Sequence, residues 1–451
     1  MRTRHLTTAT AEPVDPVGWD PAVWPATARP TATGDLSIGG VGLTQVAERM
    51  GTPVHVVDEA DVRKRCRGYR DAFGDGEVAY AGKAFLSRVF ARWIADEGLS
   101  LDVCSAGELA VARSAGFPAE RILMHGNGKT PEDLRAAFEY RVGRIVVDSA
   151  TEISRLAVFA MGPARGPQSL LIRVIPGVDA GAHPAVTTGT EGQKFGFSIT
   201  SGAADDAVRR VLAQRALRLV GLHCHLGSQI TDVRSYEQAV EPLVELMART
   251  RDEHGVVLPQ LDLGGGFAVP YRSGDPQLSP TTLAARVTAA LSAACARHRL
   301  PVPRLTIEPG RAIVAQAGVT VYRVIGIKHG AGGRLFVTVN GGMSDNPRPS
   351  LYGARYTVRL IGRVPTAASR SVTVVGRHCE AGDVLVRDAQ LPADIRPGDL
   401  LAVPATGAYH HSMASNYNLV ARPPVVSVKK GAIRLQIRRE TEEDLLRRDV
   451  G

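Results

Sequence analysis

Eight short β-prone runs alternate with helix-compatible segments between about residues 58 and 312, and this rhythm restricts the chain more than any other feature it carries. The runs fall at residues 78–80, 101–104, 121–124, 144–147, 170–174, 219–223, 260–263 and 304–307. Several intervening segments open on helix-start signals. Ser105 with Glu108 and Ser149 with Glu152 have capping-box spacing, and Thr130-Pro131 sets a cap before a proline at the first helical position. Strict alternation of strand and helix favours parallel pairing through helical crossovers. Eight such units predict an α/β chain whose main body is a (β/α)8 TIM-type barrel.

In such a barrel the chemistry gathers at the carboxyl ends of the strands. Every run here ends in a polar or glycine-rich cluster: Lys83; Ser105 to Glu108; His125 to Lys129; Asp148-Ser149; Arg173 to Asp179; His223 to Gln229; Asp262 to Phe267; and Glu308 to Arg311. Single glycines and capping residues after strands are ordinary structural features. Eight loaded ends in register are not.

The flanking regions read differently. Residues 1–35, punctuated by five prolines, are expected to form an extended N-terminal arm, partly disordered. Residues 36–57 include a strand at Val54-His55-Val56-Val57, expected to join a β domain that is discontinuous in sequence. The barrel would occupy 58–312. Short alternating strands from 313 to 451 predict a C-terminal β domain, sandwich-like or barrel-like, that completes the active site.

With 44% hydrophobic and 22% charged residues the composition is that of a globular protein. No apolar run approaches the roughly 18 residues of a membrane span, and no signal-peptide core follows Met1, so a cytoplasmic protein with no membrane partner is expected. The net charge of +9 is spread over scattered arginines without basic blocks, which argues against nucleic acid and fits an anionic small molecule. Five widely spaced cysteines predict free thiols, with no disulfide framework and no metal site.

Lys83, at the end of the first run, could form a Schiff base with a carbonyl cofactor. Gly264, Gly265 and Gly266 offer bare backbone N–H groups to a phosphate, without the spacing of a dinucleotide fingerprint. Glu308 could accept from a protonated ring nitrogen, and Arg311 could pair with phosphate or carboxylate; an internal Glu308–Arg311 ion pair is the structural alternative. His225 could present its ring face to a cofactor. His223 and His225 flank Cys224 and could suggest a metal, but only one of the two is expected to face the mouth. Together these features describe a site for pyridoxal 5'-phosphate.

Tyr80-Ala81-Gly82-Lys83-Ala84, His223-Cys224-His225-Leu226-Gly227-Ser228-Gln229, Gly264-Gly265-Gly266-Phe267, Glu308-Pro309-Gly310-Arg311, Asn346-Pro347-Arg348-Pro349, Leu351-Tyr352-Gly353, His378-Cys379-Glu380 and Gly407-Ala408-Tyr409 resemble the motifs of the diaminopimelate decarboxylases, in the same order, from about residue 36 to the end. The resemblance implies a fold-type III enzyme that removes carbon dioxide from meso-2,6-diaminopimelate to give L-lysine, working as a homodimer. Carried over, it implies that Lys83 holds the cofactor, His225 stacks on its ring and Glu308 meets the ring nitrogen. Ser228, Gly264 to Gly266, Gly310, Arg311 and Tyr409 would surround the phosphate. Arg311, Arg348, Tyr352 and Tyr409 would contact substrate, Glu380 would hold its distal ammonium and Cys379 would donate a proton, the last two across the dimer interface. Departures from the family pattern are Ala106, Gly128 with Thr130, Asn340 and, beside Tyr409, His410-His411. They leave open a paralogue acting on another D-configured or substituted amino acid, and a non-catalytic homologue.

Overall fold

The computed structural model describes residues 19–160, 166–181 and 188–451; the first half of the arm expected at 1–35 lies outside them. Eight parallel strands, Glu77–Ala81, Ser100–Val103, Ile122–Met124, Arg144–Val147, Gln168–Ile175, Leu217–His223, Gln260–Asp262 and Arg304–Ile307, pair in chain order. The last closes on the first through Thr306 opposite Glu77 and Ile307 opposite Val78. The TIM-type barrel expected from the alternation is therefore present.

Side chains alternate along each strand, and the alternation separates two cores. Ala79, Leu123, Val146, Leu171 and Val220 form a small buried cluster of their own inside the barrel. Their neighbours Val78, Tyr80, Leu101, Ile122, Ile145 and Leu170 belong to the large cluster shared with the surrounding helices. The helix starts are fixed as the sequence spacing suggests. Thr130 and Asp133 form a reciprocal capping box. Ser105 and Ser149 accept from the N–H groups of Glu108 and Glu152, but those glutamates turn to Cys104 and Asp148 N–H instead of closing a box.

The second sheet is organised around a 12-residue strand, Gly318–His329. It pairs antiparallel with Val54–Asp58, Leu335–Val339 and Leu400–Pro404. Val425–Lys429 then adds in parallel beside Val54–Asp58. Residues from 19 onward pack on this sheet: Trp24 is buried among Leu36, Val54, Val319 and Val426, and stacks on Trp19 with ring centroids 5.4 Å apart. The loop after Leu400–Pro404 reaches the barrel, where Tyr409 N–H donates to Ala84 O at 2.8 Å. That contact brings the β domain to the carboxyl-end mouth. Among the described residues, no helix is long and apolar enough to cross a membrane.

Candidate active site

Lys83 sits in the single 3-10 turn Gly82–Ala84 that ends the first strand. The turn packs so closely on the second strand that a Cβ at Gly82 would meet Asp102 O at 2.9 Å. Lys83 Nζ lies 3.6 Å from Asp102 Oδ2, and Asp102 is fully buried while the lysine side chain keeps 39% exposure. Burial alone would lower the amine's pKa. Burial is the largest single influence, but attraction by Asp102, then Cys104, Tyr409 and Glu308, together outweighs it and raises the pKa above the usual lysine range.

Behind Lys83 the floor of the mouth holds Glu308, His125, His223 and Asp262, all buried. His125 Nε2 is 2.6 Å from Glu308 Oε1, and His223 Nε2 is 3.6 Å from Glu308 Oε2. Burial would raise the Glu308 carboxyl, but the two imidazoles hold it well below the usual range. Asp262 moves the other way: burial first, then Glu308, pushes it well above the usual carboxylate range. Candidate ligand atoms on these four side chains lie within 4.8 Å of one another. With Glu308 held toward its anionic form, the arrangement can meet a cationic ring nitrogen. Glu308 Oε1 is buried without a hydrogen bond of good geometry, an acceptor site that such a nitrogen could use. The Glu308–Arg311 ion pair is not formed.

The expectation that only one of His223 and His225 faces the mouth is overturned. His223 ends the strand Leu217–His223 and approaches Glu308, while His225, two residues on in the loop, meets Gly265, so both reach the same opening. His225 Nδ1 accepts from Gly265 N–H at 3.2 Å, which leaves its proton on Nε2. Burial, reinforced by Lys83, lowers its pKa well below the usual value and keeps the ring neutral. Gly264, Gly265 and Gly266 are required by packing: a Cβ at Gly265 would lie 2.1 Å from Glu308 O, and one at Gly266 2.2 Å from Gly227 O. Their first constraint is thus the approach of neighbouring backbone. Arg311 donates to Ser228 Oγ at 2.8 Å and lies 4.7 Å over the Tyr409 ring, while Gly310 packs against Ala81 and Ala84. Lys83, His225, Ser228, Gly310, Arg311 and Tyr409 therefore meet at one mouth. Ser228 and Arg311 offer donors that could hold a phosphate there.

A second guanidinium extends the site. Arg348, 6% exposed, donates to Tyr356 Oη and stands 4.8 Å over the Tyr271 ring. Tyr271 Oη in turn accepts from Arg311 at 2.6 Å. Among the described residues neither arginine has a carboxylate partner in an ion pair. Tyr352 ends the short helix Arg348–Tyr352, half-buried. Cys379 and Glu380 are exposed, and their polar contacts stay inside the β domain, Cys379 N–H to Asn418 Oδ1 at 3.3 Å and Glu380 Oε2 to Tyr417 Oη at 3.2 Å. His410 is buried behind Tyr356 with ring centroids 5.5 Å apart. Sequence reading gave no site role to Asp102, His125, Tyr271 or Tyr356, although His125 opens one of the loaded strand ends. Inward parity, counted from Leu123 to His125 and from Ser100, the partner of Ala79, to Asp102, would have flagged the first two; Tyr271 and Tyr356 lie in loops with no such signal.

A family model for the pyridoxal-binding domain of the pyridoxal-dependent decarboxylases matches residues 59–315. The diaminopimelate decarboxylase of Actinosynnema pretiosum subsp. auranticum is 60% identical over 428 residues, 95% of each chain. That of Mycobacterium tuberculosis H37Rv is 48% identical over 439 residues, covering 95% of this chain and 98% of that one. The crystal structure of diaminopimelate decarboxylase from M. jannaschii with L-lysine superposes with a TM-score of 0.88 at 31% identity, over 95% of this chain and 98% of that one. Matched across its barrel by the family model and along nearly its whole length by these enzymes, the chain belongs to the pyridoxal-dependent decarboxylases.

Proposed function

We propose that the protein decarboxylates meso-2,6-diaminopimelate to L-lysine and carbon dioxide, using pyridoxal phosphate. The observation that carries the substrate is Arg348, a buried cation without a carboxylate partner, coupled through Tyr271 to Arg311. A buried charge is tolerated only where an opposite charge meets it. A substrate with a carboxylate at its far end supplies one, and a simple diamine precursor does not.

Bound pyridoxal phosphate would supply the electron sink that lets a Cα–carboxylate bond break. Lys83 would hold its carbonyl, Glu308 its ring nitrogen, and the neutral His225 ring its face. Ser228, Gly264 to Gly266, Gly310, Arg311 and Tyr409 would hold its phosphate. Arg311, Arg348, Tyr352 and Tyr409 would position substrate. Cys379 would return a proton to the carbon that lost carbon dioxide, and Glu380 would meet the distal ammonium. Since both are exposed on the β domain and contact nothing at their own chain's mouth among the described hydrogen bonds, a homodimer that supplies them across its interface completes the site. Free thiols and the absence of long apolar runs accord with a cytoplasmic enzyme.

Carbon dioxide release measured side by side on meso-diaminopimelate, D-lysine, D-ornithine and D-arginine tests the reading. Turnover is expected on the first. Brisk turnover of another with none on the first favours the paralogue, for which His410-His411 behind Tyr356 is the specific argument.

A further inference from the structure

His125 lies outside every role assigned above, yet it is the residue on which the mouth converges. It stands just past the third barrel strand and is 4% exposed. Its Nε2 crosses above the first two strands to within 2.6 Å of Glu308 Oε1, at the end of the eighth, and lies 3.8 Å from Asp102 Oδ1, on the second. Asp102 is in turn the carboxylate beside Lys83, at 3.6 Å. The His223 ring packs edge-on to the His125 ring with centroids 4.8 Å apart, which restricts its rotation. A carboxylate can only accept, so the 2.6 Å approach assigns the proton to Nε2, although that N–H is not aimed along the contact and neither atom makes a hydrogen bond of good geometry. The ring therefore sets one polar N–H beside both carboxylates, Glu308 and Asp102.

We propose that His125 is a positioning residue that ties the Glu308 carboxylate to the Asp102–Lys83 pair, fixing the group that meets the cofactor's ring nitrogen relative to the amine that holds its carbonyl. The inference rests on the cofactor reading of Lys83 and Glu308. It does not follow from that reading, because Glu308 could have been oriented from its own strand or by His223 alone. His223 is the weaker candidate: its Nε2 is a full 1 Å farther from the carboxylate, at 3.6 Å against 2.6 Å. Asp262, whose carboxyl is raised toward its proton-bearing form, is a further neighbour of Glu308 in the same cluster. Removing His125 takes away the polar N–H that stands 2.6 Å from the buried Glu308 Oε1.

The test uses the full chain loaded with pyridoxal phosphate, as wild type, Lys83→Ala, His125→Leu and His125→Gln. Gln places an N–H near the position of Nε2; Leu fills the volume without a donor. The visible absorption band of the loaded protein is the first readout, and the split between kcat and KM on meso-diaminopimelate is the second. His125→Leu is expected to displace and weaken the band and to lower kcat about 10- to 100-fold with KM changed less than about threefold, the scale of supporting residues around a reactive centre. His125→Gln is expected to recover the band position and most of kcat. A Leu variant with the wild-type band and kcat overturns the proposal. So do Leu and Gln variants that are equally impaired, since a donor would then be irrelevant and only ring volume would count. A wild-type band that is missing, or that survives Lys83→Ala, instead removes the cofactor reading on which the proposal stands.

Discussion

At the amino-end mouth of the barrel, Glu77 accepts from Ser100 Oγ and from both terminal nitrogens of Arg144, with Arg304 at 3.5 Å, whereas at the carboxyl-end mouth Asp102, Asp262 and Glu308 each keep a buried oxygen without a hydrogen-bond partner. The two sets lie at opposite ends of the barrel strands, separated by the layer of Ala79, Leu123, Val146, Leu171 and Val220. Electrostatics diverge accordingly. Burial would raise Glu77, but Arg144 outweighs it and holds the carboxyl below its usual value. Burial does raise Asp102 and Asp262 at the other end. One mouth uses its charges to close the barrel, and the other holds them unsatisfied, as a site that binds a polar ligand must.

The largest expected effect separates ligand chemistry from structure. Lys83→Ala should lose turnover by at least ~10³-fold, about 4 kcal/mol of barrier, and show no visible band when pyridoxal phosphate is added. Retained turnover would mean that the carboxyl-end mouth is not where the chemistry lies, and the comparison would break at its functional end.

A matched pair of carboxyl-to-amide substitutions tests the structural side. Glu77→Gln leaves Arg144 buried, 7% exposed, without its counter-charge, and should lower stability by about 3 kcal/mol, read as a fall in melting temperature with KM unchanged. Asp262→Asn should not lower the melting temperature. Its carboxyl is already held toward the neutral form, and an amide oxygen can still accept from Gly264 N–H, which Asp262 Oδ1 now does at 2.8 Å. Equal losses in the two variants would show that both mouths serve stability alike.

How far each mouth was legible follows from what sequence encodes locally. The barrel was readable because alternation and helix caps are short-range signals, and Thr130 with Asp133 forms the box its spacing predicts. Lys83, His225, Glu308 and Arg311 stood out because strand ends are local too. Asp102 and His125 received no site role, since their meaning lies in contacts across three strands, set by the stagger of the barrel. The slip over His223 was one of parity: two residues apart on a strand is the same side. Arg348 reaches the mouth through Tyr271 and Tyr356, a route fixed by packing between the barrel and the β domain. The helix-cap glutamates show the reverse case, where a correct local spacing ended in different hydrogen bonds because neighbouring N–H groups competed for them.

The smallest effect is the sharpest in sign. Glu77, with its folded pKa depressed, contributes stability that is complete above the ordinary glutamate value of about 4.3 and is lost as pH falls through the folded value. Asp262 is raised, so between the ordinary aspartate value of about 3.9 and its folded value the native state binds more protons than the unfolded one, and stability falls as pH rises. Each group can contribute a slope of at most ~1.4 kcal/mol per pH unit. Melting curves of the cofactor-free protein from acid to neutral pH should therefore diverge by variant. The deficit of Glu77→Gln relative to wild type should shrink as pH drops below about 4.3, and the advantage of Asp262→Asn should grow as pH rises above about 3.9. Difference curves of the same sign would mean that the two ends of the barrel hold their carboxyls in the same way, against the geometry that distinguishes them.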